Sequence, residues 1–250
     1  MSKLYRILPF LAALILVPIV AGAANEPFVL PEMSLKVGSG EGLSTTLQIM
    51  ILLTMLTLLP AIILMMTSFT RFVIVFSLLR HAMGLQQTPP NQVLMGIALF
   101  MTFFVMSPVL SSVYTNAYEP YMADEITQQE ALEKGIKPFR SFMLSNVGDK
   151  EIALFMDMSG RDDVKSYEEV PTLMLIPAFI VGELRNAFQV GFVIFVPFLI
   201  IDMVVASVLM SMGMFMLPPI MISLPFKLMI FVLVDGWGLL IGSMVRSFNI

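Results

Sequence analysis

Long apolar runs separated by short polar breaks dominate this chain, and their lengths define its expected elements. Residues 46–66 form the first run, and 72–79 continue it between Arg71 and the Arg80-His81 pair. Pro60 inside the run predicts a kink, tolerable where neighbouring helices satisfy the freed carbonyl. Thr88-Pro89-Pro90 then breaks the chain, with Thr88 expected as an N-cap and Pro89 at the first helical position. A second run covers residues 93–113 and is interrupted by Pro108. Residues 171–215 are almost continuously apolar, and a last run covers 220–245. A helix needs roughly 20 apolar residues to cross a bilayer. The pattern therefore predicts an all-α membrane protein of two hydrophobic helical hairpins, with about four membrane-type segments. Residues 171–191 are an alternative fifth, interfacial piece. No period of 20–50 residues recurs, so the chain is not a repeat array.

Residues 114–170 break the pattern. They hold twelve of the eighteen acids against six bases. Phe139, Phe142, Met143, Val147, Ile152, Leu154 and Phe155 are spaced there as short amphipathic helices would space them. The segment is expected to be a small helical module between the hairpins. At the other end of the chain, Lys3 and Arg6 precede a 14-residue apolar core and the small residues Ala21-Gly22-Ala23-Ala24. This reads as a cleaved signal peptide.

The expected organisation follows. Residues 1–24 are the signal peptide, 25–45 an extracytoplasmic lead-in, 46–113 the first hairpin, 114–170 the acidic extracytoplasmic module, and 171–250 the second hairpin. With the mature N-terminus outside, the first run carries Arg71 and Arg80 to the cytoplasmic side, as the positive-inside rule requires. The acidic module then lies outside, and the turn of the second hairpin lies on the cytoplasmic side.

Composition narrows the function. The chain is 58% hydrophobic and 13% charged, with mean hydropathy +0.89, which is a membrane composition. A net charge of −4 without a basic run argues against a nucleic-acid partner. With no cysteine and a single histidine, His81, thiol chemistry is excluded and no metal centre or cofactor is expected. No nucleophile elbow, zinc-protease motif or phosphate loop occurs, so no catalytic residues and no enzyme are expected.

Two groups of residues remain. In the turn at residues 210–219, Met210, Met212, Met214 and Met216 alternate and then meet Pro218-Pro219. Methionine is flexible and unbranched and re-packs around what it meets. Three readings stand open: apolar filler, a thioether path for Cu(I) in a soft-metal transporter, and a hydrophobic gasket across a pore. The second group is the charges inside apolar runs. Asp202 lies nine residues before Ser211 and Lys227 eight after Pro219, at nearly equal depth on the two arms of one hairpin. Such charges normally pair. The pair either fixes hairpin register or serves as a relay or subunit contact. Asp235 has no depth-matched base. Glu183 and Arg185, two apart, point to different faces of a helix, so each needs its own partner, in this chain or on another protein.

The stretch MTSFTRFVIVFSLLRHAMGLQQTPPNQVLMGIALFMTFFVMSPV (66–109) and the tail FKLMIFVLVDGWGLLIGSMVRSF (226–248) resemble the FliP family of flagellar biosynthesis proteins. The similarity covers essentially the whole mature chain. It implies a core subunit of the flagellar type III export gate in the bacterial inner membrane, at the flagellar basal body. It implies five copies in a helical ring with FliQ and FliR, further gate components FlhB and FlhA, and unfolded flagellar proteins as cargo. It also implies a complex sitting largely above the expected membrane plane. Charges would pair between subunits, giving Glu183, Arg185 and Asp235 partners outside the chain. Matched position by position, the family's gasket falls on Met214, Phe215 and Met216 after Gly213, with Met210 and Met212 as support. Many relatives carry three consecutive methionines there, and Phe215 departs from that pattern.

Overall fold

Every regular element among the described residues is helical. The computed structural model describes residues 45–159, 169–214 and 216–249. The expected signal peptide and almost all of the lead-in lie outside them, as does Phe215. Residues 51–250 form one compact unit and 1–50 another, of which only 45–50 are described.

The first helix, α1 (Thr45–Met65), is apolar on all sides, and from Ile51 onward nearly every side chain is exposed. It continues as a helix through Pro60 to Met65. The break comes at Met66–Ser68, where the chain bends by 70° into α2 (Phe69–Ala82). Hydroxyls explain the position. Thr67 Oγ1 donates to the Leu64 carbonyl at 2.6 Å and accepts the Phe69 amide at 3.3 Å, offering the backbone an alternative to the helical ladder.

Helix α3 (Asn91–Val113) has Pro90, not Thr88, at its N-cap. A residue before proline is pushed out of the helical region, so Pro89 cannot open the helix and the start moves past Pro90. α3 continues through Pro108 into a π-helical turn (Tyr114–Tyr118) and α4 (Glu119–Met122).

The polar segment folds as α5 (Gln128–Asn146) and α6 (Asp149–Met158). A capping box starts α5: the Glu130 amide donates to Thr127 Oγ1, and the Thr127 amide donates to Glu130 Oε2 at 2.9 Å. These hydrogen bonds hold the Glu130 carboxyl below its ordinary value of 4.5. A carboxylate lowered on folding stabilises fully above that ordinary value, and the contribution is lost as pH falls through the lower folded value. Protection factors of the amides in the first turn of α5, corrected for the intrinsic pH dependence of exchange, should therefore fall below about pH 4.5. In Glu130→Gln the same amides should show no such pH step.

The second hairpin consists of α7 (Thr172–Ser211), α8 (Pro219–Leu233) and α9 (Gly236–Arg246). The 40 residues of α7 pass through Pro177 and Pro197 without a break, so 171–191 is no separate piece. At 1.5 Å per residue α7 is about 60 Å long, roughly twice a hydrocarbon core. α8 and α9 are bent by 63° at Asp235, which takes a left-handed φ of 50° and accepts the Gly238 amide at 3.4 Å as N-cap of α9. Gly236 is required beside it, because an added Cβ would lie 2.3 Å from the Phe231 ring. Phe231 in turn meets Trp237 edge-on at 5.5 Å.

The core lies where α2 packs on α3 and on the N-terminal half of α7. Phe72, Val75, Phe76 and Leu79 of α2 are buried with Ala98 and Val105 of α3 and with Leu175, Phe179 and Ala187 of α7. Phe248 closes this core from the C-terminus, 5.8 Å from Phe72 and 6.1 Å from Phe142. By contrast, the C-terminal half of α7 and most of α8 expose their apolar side chains. Among the described residues, two stretches, Asn91–Met122 and Thr172–Ser211, are long and apolar enough to cross a membrane. If each bent pair, α1 with α2 and α8 with α9, counts as one span, the number is four.

Candidate functional site

The methionine turn joins α7 to α8, and its first half is tightly closed. The Gly213 amide donates to the Met210 carbonyl at 3.1 Å, and the Met214 amide reaches back to Leu209 at 3.0 Å. These are the two crossed bonds of a Schellman cap, which needs a left-handed residue at its centre. Gly213 supplies it with φ 76°. An added Cβ there would meet nothing within 4 Å, so the requirement comes from the backbone alone. Pro218 and Pro219 fix the other side, with Pro218 as N-cap and Pro219 opening α8.

The side chains of this turn face outward. Met214 is 44% exposed and Met216 97%, with Met210 and Met212 more than half exposed. They are therefore no part of this chain's core. Phe215, between the two gasket methionines, lies outside the described residues.

Below the turn, α7 and α8 are joined by charge. Lys227 Nζ donates to Asp202 Oδ2 at 2.6 Å and to the Ala82 carbonyl at 3.1 Å. Ser223, one helical turn from Lys227 on the same face of α8, donates its hydroxyl to Asp202 Oδ1 at 2.5 Å. Ala82 ends α2, so the ammonium also meets a carbonyl that the helix leaves unpaired, at the negative end of its dipole. Three helices meet at one lysine. Ser223 lay four residues before Lys227 in the sequence, a spacing that would have pointed to it.

Glu183 and Arg185 do have separate partners, but within the chain. Arg71 Nε donates to Glu183 Oε2 at 2.9 Å while Nη2 reaches Oε1, a two-armed pair with side chains only 3% and 0% exposed. Arg71 Nη1 also donates to Ser247 Oγ at 2.7 Å, and its guanidinium stacks 3.8 Å over the Phe248 ring. Arg71 is thus held in a buried ion pair within the core. Arg185 Nη1 donates to Glu151 Oε1 at 2.6 Å, tying α7 to α6. The expectation that both needed another protein fails because α2 and α6 bring opposite charges to the two faces of α7. Asp235 likewise has an internal use, as the cap of α9. Arg80 Nη1 donates to Asn91 Oδ1 at 2.5 Å, bracing the loop into α3. Among the described residues, no group of three His, Asp or Glu side chains is placed to hold a metal ion.

Residues 52–244 match the model of the FliP family. A protein of Pectobacterium carotovorum subsp. carotovorum named flagellar biosynthetic protein FliP is 56% identical over 209 residues, 84% of this chain and 81% of that protein. The protein of that name from Bacillus subtilis (strain 168) is 50% identical over 208 residues, 83% of this chain and 94% of its own length. A third, from Buchnera aphidicola subsp. Acyrthosiphon pisum (strain APS), is 50% identical over 99% of this chain, which spans 64% of that longer protein.

Proposed function

The chain belongs to the FliP family, and on that premise we propose that it is a pore-forming subunit of the flagellar protein export gate. It is not an enzyme. In this reading it resides in the bacterial inner membrane as a multi-pass protein at the flagellar basal body. Residues 46–113 and 171–250 are the two membrane hairpins, and 114–170 lie on the extracytoplasmic side. Copies assemble as a ring, five by family likeness, with FliQ and FliR and with FlhB and FlhA nearby. Unfolded flagellar proteins pass through the ring.

The observation that carries the pore reading is the methionine turn. Met214 and Met216 stand exposed at the tip of an apolar hairpin, on a backbone closed by the Gly213 cap. Repeated around a ring, such side chains with Phe215 would form an apolar constriction. A narrow apolar constriction blocks ions by excluding water. The turn holds no nucleotide motif, so the energy for transport comes from other components. The methionines also suit a soft-metal path, but none of the relatives named above is a copper transporter by name.

The test is ion leak through the assembled gate in proteoliposomes. Truncating Met214, Phe215 and Met216 together to Ala should raise ion conductance while leaving the assembly's size unchanged. An assembled triple variant as impermeable as the parent would rule out the gasket.

A further inference from the structure

A cleft of about 1000 Å³ separates α5 from the end of α3 and the π-helical turn. Its lining is divided by chemistry. Pro108 and Pro138, with the edges of the buried Val109 and Phe142, form its apolar wall, whereas Lys134 and Lys137 bring two ammonium groups, and serine hydroxyls and two asparagines complete the lining. No Asp or Glu lines it. Lys134 and Lys137, three residues apart, share one face of α5. Glu130, one turn before Lys134, caps Thr127 and also interacts with the Lys134 charge.

The cleft straddles the boundary where the apolar surface of the second run ends. No charged residue occurs from Asn91 to Tyr118, and the first acid is Glu119. Tyr114, Tyr118 and Tyr121 follow at the end of that apolar stretch, each 36–42% exposed, with Tyr114 and Tyr118 stacked at 5.4 Å. Tyrosines gather where an apolar environment meets a polar one. α5 brings its lysines to this level: a Cβ added at Gly135 would lie 3.7 Å from Ala117 in the π-helical turn.

We infer that this cleft binds one anionic phospholipid, with the headgroup phosphate held by Lys134 and Lys137 and an acyl chain lying along Pro108, Val109 and Phe142. Basic pockets beside membrane helices select anionic headgroups by charge. A free anion would have no use for the apolar wall, and a neutral lipid none for the lysines. The site stands apart from the methionine turn and does not rest on the pore reading.

Native mass spectrometry of the full chain in mild detergent tests it, with phosphatidylglycerol and phosphatidylcholine of identical acyl chains as probes. The parent should retain one phosphatidylglycerol with about tenfold or greater preference over phosphatidylcholine, two lysines contributing near an anionic headgroup. In Lys134→Gln/Lys137→Gln that preference should disappear, while Lys134→Arg/Lys137→Arg should keep it. Both lysines are exposed, so helix content by circular dichroism should be equal in all three proteins. Equal retention of the two lipids by the parent, or undiminished preference in the glutamine variant, would overturn the site. Displacement of the lipid by millimolar inorganic phosphate would assign the cleft to free phosphate and overturn it as well.

Discussion

Glu183→Ala is expected to destabilise the chain by about 3–5 kcal/mol, the cost of stranding one partner of a buried ion pair. Arg71 is only 3% exposed, and losing Glu183 removes both acceptors of its two-armed contact. Ser247 and the Phe248 ring remain, but neither carries a negative charge. The loss should spread, because Arg71 links α2 to α7 and to the C-terminal residues. Replacing both partners by leucine should restore most of the stability, since two apolar side chains leave no buried charge to satisfy. Denaturant unfolding in detergent of the single and double variants separates these cases. A single variant as stable as the parent would show that the pair is not what fixes Arg71 in place.

The second large effect is an asymmetry at the other ion pair. Asp202→Ala should cost about 3 kcal/mol or more, because it leaves the 3%-exposed ammonium of Lys227 with no counter-charge. Lys227→Ala should cost less. It strands Asp202, but that side chain is 28% exposed, so water can reach it, and Ser223 still donates to it. The readout is again unfolding in detergent, paired with cysteine crosslinking between α7 and α8 to report their register. Equal losses from the two substitutions would argue that solvent reaches both groups alike.

These two ion pairs also mark what a sequence can disclose. Asp202 and Lys227 flank a single turn at nearly equal distances, so arithmetic along two antiparallel helices suffices to bring them together. Arg71 and Glu183 are 112 residues apart, and no spacing relates them. Only the packing of α2 on α7 does. The separate demands of Glu183 and Arg185 were legible from their offset, but the locations of their partners were not. Proline alone does not mark where these helices end. Pro60, Pro108, Pro177 and Pro197 all sit inside continuous helices, because a long apolar helix can lose one hydrogen bond and still have no better conformation. The real bend fell at Met66–Ser68, where the Thr67 hydroxyl competes for backbone groups. The family was legible from residues 66–109 and 226–248. The tyrosine-edged cleft was not, since Lys134 and Ser112 belong to different elements that only the fold sets side by side.

The crossed bonds at Gly213 have a consequence for timing. A loop that opens by swinging on a hinge moves in microseconds to milliseconds, because many backbone torsions and packed contacts change together. Here the start of the turn is pinned by the Gly213 cap and its end by two prolines. Met214 and Met216, by contrast, each have three rotatable bonds and stand exposed. Exposed side chains change rotamer in picoseconds to nanoseconds. Whatever presses on this tip meets something like a brush set in a stiff frame. Its bristles bend and recover far faster than a hinged door could open and shut.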